Sequence, residues 1–295
     1  MRDFEYHEPA TVAEACRLLE QYGGEARVYA GGTGLSILMK QGLLRPKALI
    51  NIKRIHDLRG IEFDSTKGLI IGALVTHHEL ETSELVWKQL PILRHVEREV
   101  ANIRVRNMGT VGGNLASGEP LTDLPSLFIS LDARVTILGA SAERTLPLEE
   151  LFLDYYETVL ADDEILTQVV VPPPPLRTGI EYVRFSSGSV VDKPCVGVSV
   201  RISLEPKSRI CRDVRIALGC VAPTPMRARE AEQALEGKQF EPEGVEQAAS
   251  LASQECSPLD DLRGSEKYKR EMVRALIRQA VPTAYERARE AEKKA

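Results

Sequence analysis

The sequence predicts an α+β chain in two parts, and three observations carry that reading. Up to Val171, short apolar or alternating runs take turns with amphipathic helical patterns. Pro172-Pro173-Pro174-Pro175 then interrupts every pattern, because four prolines suit neither a sheet interior nor a helix and favour polyproline II. Beyond the prolines, strand patterns come first and helical patterns follow. The expected organisation is a domain over 1–173, a smaller α+β domain over 178–282 and a charged tail over 283–295.

The elements follow in order. Thr11-Val12-Ala13-Glu14 has the form of a capping box and opens a helix through Ala15, Leu18 and Leu19, which Gly23-Gly24 ends. Arg27-Val28-Tyr29-Ala30 reads as a short buried strand. A glycine-rich turn follows, and Leu35, Leu38 and Met39 resume at helical spacing. Ala48 to Ile52 and Gly68 to Gly72 are strands. Thr76 and Glu79 make a second capping-box pattern before a helix, and Arg94 to Val100 is another. After a second glycine-rich turn, Asp123 to Leu131 is helical, and Ala133 to Leu138 and Ile165 to Val171 are strands. Ile180 to Phe185, Val196 to Leu204 and Val214 to Val221 alternate as strands. Helices follow at Met226 to Glu236, near Val245 to Ser253, and at Lys267 to Ala280. Arg287 to Ala295 is strongly charged and expected to be solvated.

Composition narrows the function. The chain has 295 residues, 43% hydrophobic and 27% charged, as in a globular protein with a real core. A net charge of −5 argues against nucleic acid as the main partner. No apolar run reaches transmembrane length and the N-terminal stretch has no signal-peptide core, so a cytoplasmic location is expected. Cys16, Cys195, Cys211, Cys220 and Cys256 form no CxxC pair, which removes zinc and iron–sulfur spacing and leaves small buried hydrophobes. His77-His78 is a poor metal pair because adjacent side chains point to different sides. Asp162-Asp163-Glu164 reads as a solvated turn.

The two glycine turns hold the chemistry. The first is Ala30-Gly31-Gly32-Thr33-Gly34, the second Gly109-Thr110-Val111-Gly112-Gly113-Asn114. Neither is a GxGxxG fingerprint or a P-loop. Glycine permits positive φ and lets a ligand approach the backbone, and successive N–H groups in such a turn form an anion-binding nest to which a following helix adds its dipole. Two turns folded face to face would enclose both phosphates of a pyrophosphate without a lysine or a metal. Either turn alone reads better as a plain strand-to-helix connection without a ligand.

These residues, with Ile71-Gly72-Ala73-Leu74-Val75-Thr76-His77, Arg106-Asn107, Pro120, Asp123-Leu124-Pro125 and Ala217-Leu218-Gly219 to Pro225, resemble the FAD-binding medium subunits of molybdenum hydroxylases, among them carbon monoxide and xanthine dehydrogenases. The resemblance spans nearly the whole chain. It implies a peroxidase-type (PCMH-like) FAD-binding domain of two α/β subdomains, followed by the α+β domain. It places non-covalent FAD on Val28, Tyr29, Ala30, Gly31, Gly32, Thr33, Gly34 and Leu35 and on Thr110, Val111, Gly112, Gly113 and Asn114. It puts an acidic cofactor contact on Asp123, an isoalloxazine neighbour on Leu166 and a basic residue near the flavin on Arg184. Gly34 departs from the Asp, Glu or Ser usual there, and Val100 stands where some relatives place an aromatic ring over the flavin.

The same resemblance implies a division of labour. Molybdopterin would lie on a large partner subunit and two [2Fe–2S] clusters on a small one, the implied assembly being a dimer of heterotrimers. FAD would pass the electrons to NAD or a quinone, and no residue of this chain would act on the primary substrate. Carbon monoxide, an aldehyde, a purine, another N-heterocycle and an acyl-CoA all fit. The rival readings are a self-contained flavin oxidase or reductase and a non-catalytic nucleotide-binding module. Neither His nor Cys occurs between Arg27 and Leu49, which excludes covalent flavin attachment there.

Overall fold

The computed structural model describes residues 3–189 and 192–294. They form two compact units. The first holds the described residues up to Gly118 together with 134–171, and the second holds 119–133 and the described residues from Pro172 onward.

The chain begins with β1 (Glu5–His7), α1 (Val12–Tyr22), β2 (Ala26–Tyr29), α2 (Leu35–Lys40) and β3 (Ala48–Asn51). It continues through β4 (Ile61–Asp64), β5 (Gly68–Gly72), α3 (His77–Thr82), α4 (Glu84–Gln89), α5 (Pro91–Glu99), α6 (Ile103–Arg106) and α7 (Val111–Ala116). Next come α8 (Leu124–Ser130), β6 (Arg134–Leu138), β7 (Glu143–Pro147), β8 (Phe152–Asp154), β9 (Glu157–Thr158) and β10 (Ile165–Val171). Then follow β11 (Thr178–Phe185), β12 (Val196–Leu204), β13 (Cys211–Gly219), β14 (Met226–Arg227), α9 (Arg229–Leu235), α10 (Pro242–Glu255) and α11 (Glu266–Lys294).

The first unit contains two main sheets. A parallel three-stranded sheet runs β1-β3-β2, with Tyr29 paired to Asn51 at its carboxyl end. A five-stranded antiparallel sheet runs β4-β5-β10-β6-β7, and β8-β9 form a small ribbon. Helix α1 covers the parallel sheet with Val12, Ala15, Cys16 and Leu19, which join Ala48, Ile50, Leu74 and Ile165 in one core. Its ends follow the sequence signals: Thr11 accepts from the Glu14 amide at 3.2 Å, and Gly23 closes the helix in the left-handed region at φ 52°. At α3 the full capping box forms, with Thr76 Oγ1 accepting from the Glu79 amide and the Glu79 carboxylate accepting from the Thr76 amide.

The second unit is the antiparallel sheet β11-β12-β13-β14 with α9, α10 and α11 packed on it. β12 is buried at every position, which its run Val-Gly-Val-Ser-Val-Arg-Ile-Ser-Leu permits because Ser199 is hydrogen-bonded to Ser130 and Arg201 is ion-paired to Asp132 and Asp213. The partners Ser130 and Asp132 come from the 119–133 segment, so α8 builds this unit although it lies far upstream in sequence. Gly219 admits it: an added Cβ there would stand 3.0 Å from Ser126 Oγ.

The tail expected over 283–295 is instead the last part of α11, which runs through Pro282 to Lys294. Proline removes one helical hydrogen bond, yet the helix continues because Ala284, Tyr285 and Ala288 are buried in the second unit's core. Gly179 of β11 makes room, since a Cβ there would fall 1.9 Å from the Ala284 carbonyl oxygen. No helix among the described residues is long and apolar enough to cross a membrane.

Candidate functional site

The two glycine turns, far apart in sequence, meet within the first unit. A Cβ on Gly31 would lie 2.0 Å from the Met108 carbonyl oxygen and 2.9 Å from Gly109 Cα, so only glycine permits the approach. Gly32 adopts φ 71°, and the Tyr29 ring occupies the space where its side chain would be. Gly34 is different. It has φ −84°, and an added Cβ would meet nothing within 4 Å, so its departure from an acid or serine costs the turn no room.

The turns have different jobs. In the first, the five consecutive amides from Gly31 to Leu35 donate to no acceptor among the described residues, although their neighbours Ser36, Ile37 and Leu38 all do. That is an open nest at the carboxyl end of a parallel sheet, the edge where such sheets take ligands. In the second, the chain consumes nearly every donor. Gly109 donates to Val105, Val111 to Val75, Gly112 to Ala73, Asn114 to Thr110, and Gly113 to the Thr110 hydroxyl. The Thr110 amide and the buried Asn114 Oδ1 are left unmet. Matched nests, one per phosphate, are therefore not what the backbone offers. Gly112 has a packing role instead: a Cβ would stand 2.6 Å from Ala73 Cβ and 2.8 Å from its carbonyl oxygen.

The segment behind the second turn is polar and closed. Thr76 bridges Thr110, and the His77 amide donates to the Gly109 carbonyl at 3.1 Å. His77 is buried, with Nδ1 2.9 Å from Oε2 of the fully buried Glu97, while its ring lies against Gly109. Burial holds the Glu97 carboxyl above its ordinary range, opposed by the His77 charge. His78 points elsewhere, 3.5 Å from Glu81 and half-exposed. Among the described residues no three His, Cys, Asp or Glu side chains gather as a metal site. Leu166 is buried in the antiparallel sheet beside a bulge between Leu166 and Gln168, where Thr167 turns its carbonyl to the Ala73 amide. Bulges commonly re-aim residues beside functional sites. Val28, Ala30 and Thr33 line the same strand end and turn, each half-buried.

Asp123 and Arg184 belong to the second unit, where they form one network. Asp123 is buried and accepts from Tyr182 Oη at 2.8 Å and Arg184 Nη1 at 3.2 Å. Arg184 Nη2 also donates to Ser186 Oγ at 2.7 Å and to the Asp192 carbonyl. Burial, reinforced by the Asp123 charge, raises the Tyr182 hydroxyl well above its ordinary pKa, so it stays a donor. Tyr182, absent from the sequence reading, is the partner that orients Asp123. Its place next but one before Arg184 on β11 sets both side chains on the same face of the strand, a period-2 signal the sequence does contain.

An open amide nest framed by Gly31 and Gly32, against a second glycine turn with an unpaired Asn114 Oδ1, is suited to a phosphate-bearing ligand. The match to known proteins specifies the class. Residues 2–174 match the family described as FAD binding domain in molybdopterin dehydrogenase, and residues 182–284 the CO dehydrogenase flavoprotein C-terminal domain. The chain belongs to this family. It is 36% identical to the carbon monoxide dehydrogenase medium chain of Hydrogenophaga pseudoflava, covering 96% of this chain and 98% of that protein. It is 26% identical to the xanthine dehydrogenase FAD-binding subunit of Escherichia coli O157:H7, over 96% and 97% of the two. A solved structure of the Hydrogenophaga pseudoflava carbon monoxide dehydrogenase, one lacking the Mo-pyranopterin moiety, superposes with a TM-score of 0.92 at 38% identity, covering 97% of this chain and 98% of that one. Quinoline 2-oxidoreductase from Pseudomonas putida 86 gives a TM-score of 0.90 at 29% identity, over 97% and 98%.

The chain is thus an FAD-binding subunit of the molybdenum hydroxylase family and a component of an oxidoreductase. Its own residues fit the cofactor. The nest offers backbone donors to phosphate oxygens, and Asn114 offers a buried acceptor with no partner inside the chain.

Proposed function

We propose that this chain is the electron-transfer flavoprotein of a three-subunit complex. FAD, held non-covalently, supplies one- and two-electron chemistry between [2Fe–2S] clusters on a small partner and an external acceptor such as NAD or a quinone. A large partner carries molybdopterin and the primary substrate. The observation that carries the reading is the open nest from Gly31 to Leu35, framed by Met108 and Gly109. Its amides bind phosphate oxygen. The Thr110 amide and Asn114 fix the cofactor from the other side, Leu166 contributes apolar surface, and Asp123 is the acidic residue set against a cofactor hydroxyl. Arg184 keeps a guanidinium fixed beside that carboxylate.

No residue here works as a catalytic acid, base or nucleophile in this reading. All five cysteines are buried free thiols, which supports a reducing, cytoplasmic setting, and membrane association would come through the complex. Two measurements test the proposal. Acid release and chromatography identify the flavin; FMN, or no flavin after reconstitution, overturns it. Co-expression with the two partner genes is expected to give a dimer of heterotrimers whose flavin absorbance bleaches with substrate only when the iron–sulfur subunit is present. Oxidation of the organic substrate by this chain alone at a comparable rate would make it a self-contained oxidase.

A further inference from the structure

The first glycine turn has five unmet amides and no cation of its own. The charged residue nearest in sequence, Arg27, turns back, its guanidinium donating to the carbonyls of Gly24 and Ala26 at 2.6 and 2.7 Å. A cation arrives from the neighbouring strand. Lys53 lies just past the end of β3, where the Ile52 amide donates to the Tyr29 carbonyl at 3.2 Å. Its ammonium stands 4.1 Å from the centroid of the Tyr29 ring. The same ring abuts the turn, for a Cβ on Gly32 would lie 2.4 Å from Tyr29 Cε2. Lys53 and Gly32 therefore both abut the Tyr29 ring at the carboxyl end of the parallel sheet.

The nearby acid, Glu8, accepts from Asn51 Nδ2 at 2.9 Å and pairs with Arg54 at 3.5 Å. Among the described residues no carboxylate comes within ion-pair distance of Lys53, and its environment is half-buried. A lysine on an aromatic face is held by the ring quadrupole while its charge stays available to a further anion.

We propose that Lys53 is the cation of the first phosphate turn, seated on Tyr29 so that its charge adds to the amide nest and strengthens binding of the pyrophosphate-bearing cofactor. The proposal rests on the nest holding FAD. It acts through charge, so it has signatures that packing lacks: dependence on salt and rescue by another cation.

The test uses the full chain stripped of flavin, with FAD affinity read by quenching of flavin fluorescence. Binding by the unmodified chain tests the underlying reading; the ratio between variants tests the role of Lys53. Lys53→Met is expected to raise the Kd roughly tenfold at low salt, with the gap narrowing severalfold at high salt. Lys53→Arg is expected to restore affinity, and Lys67→Met, which removes an equal charge from an exposed turn elsewhere in the same unit, to leave it unchanged. Lys53→Gln gives the same reading if methionine disturbs folding. Equal Kd values for Lys53→Met and Lys67→Met would overturn the proposal. So would a loss that salt does not change and arginine does not rescue, which would make the Lys53–Tyr29 contact a packing feature only.

Discussion

Replacing Gly31 with alanine is expected to separate the two glycine turns, and the structure gives the scale. The approach of 2.0 Å between the new Cβ and the Met108 carbonyl oxygen falls short of ordinary contact at 3.4 Å by 1.4 Å. The atom in the way is backbone, and Gly109 Cα at 2.9 Å stands behind it, so no side-chain rotation relieves the clash. Overpacking of this kind costs about 1–3 kcal/mol when side chains can yield, and the upper end applies here. A loss of about 3 kcal/mol lowers the melting temperature by roughly 6–12 °C for a unit of this size. Gly34→Ala is the matched control. Its φ is −84° and its Cβ meets nothing, so it is expected to gain about 0.4–1 kcal/mol from a stiffer unfolded chain. Urea titration followed by circular dichroism, with FAD titration on the same samples, reads both effects. Gly31→Ala is expected to lose at least tenfold in FAD affinity and Gly34→Ala to keep it within about twofold, by the same steric argument. A Gly31→Ala protein as stable and as tight for FAD as the parent would refute the idea that the turns are joined through that contact.

Three further outcomes are expected. Gly112→Ala should destabilise the first unit through Ala73, while Gly113→Ala meets only its own cap, Thr110 Oγ1 at 2.9 Å, and should cost about 1 kcal/mol; comparative denaturation separates them. Glu97 has a carboxyl pKa raised by burial, so the folded chain holds its proton to higher pH than the unfolded chain, and its contribution is fully present below the unfolded value and lost as pH rises through the folded one. Glu97→Gln should flatten that decline in a stability profile taken upward from about pH 4.5, and an unchanged slope would assign the titration elsewhere. The cysteines should be inert: burial lifts Cys16 and Cys211 to about 11 and raises the other three, so a thiol reagent at pH 8 should label none in the native chain and five after denaturation.

Legibility in the sequence followed the range of the interaction. Caps and their helices at Thr11 and Thr76 were readable because donor and acceptor lie three residues apart. The long strands β10, β12 and β13 were readable because Val, Ile and Leu dominate them, with polar residues alternating among the apolar ones in β12 and β13. β4 and β7 were not, since edge strands such as Ile61–Asp64 and Glu143–Pro147 carry polar residues that look like loop. The end of α11 was misjudged because Pro282 and a charged surface outweighed Ala284, Tyr285 and Ala288, whose spacing was visible but whose partner, Gly179, lies far upstream. At the site, glycine composition marked both turns, but not which amides were already engaged. That depends on Val75 and Ala73, which sit on another segment and leave no mark on the turn itself.

The unequal use of donors bears on how such a site evolves and fails. A nest with unmet amides is costly to bury, because each N–H without an acceptor sacrifices a hydrogen bond, so the first turn stays half-exposed and depends on a ligand for its partners. The second turn has met most of its own demands through Ala73, Val75 and Val105, leaving the Thr110 amide and Asn114 Oδ1. With a hydrogen-bonded half and an open half in contact at Gly31, the bonded loop is the template against which the open one lies. Ligand binding then stabilises chiefly the first turn and the strand end that feeds it, Val28 to Ala30. Hydrogen exchange resolved by residue should accordingly show FAD protecting the amides from Gly31 to Leu35 far more than those of Val111 and Gly112, which the chain already holds closed. Equal protection of both turns would mean that the second opens in solution, and that its bonds to Ala73 and Val75 form only with the cofactor in place.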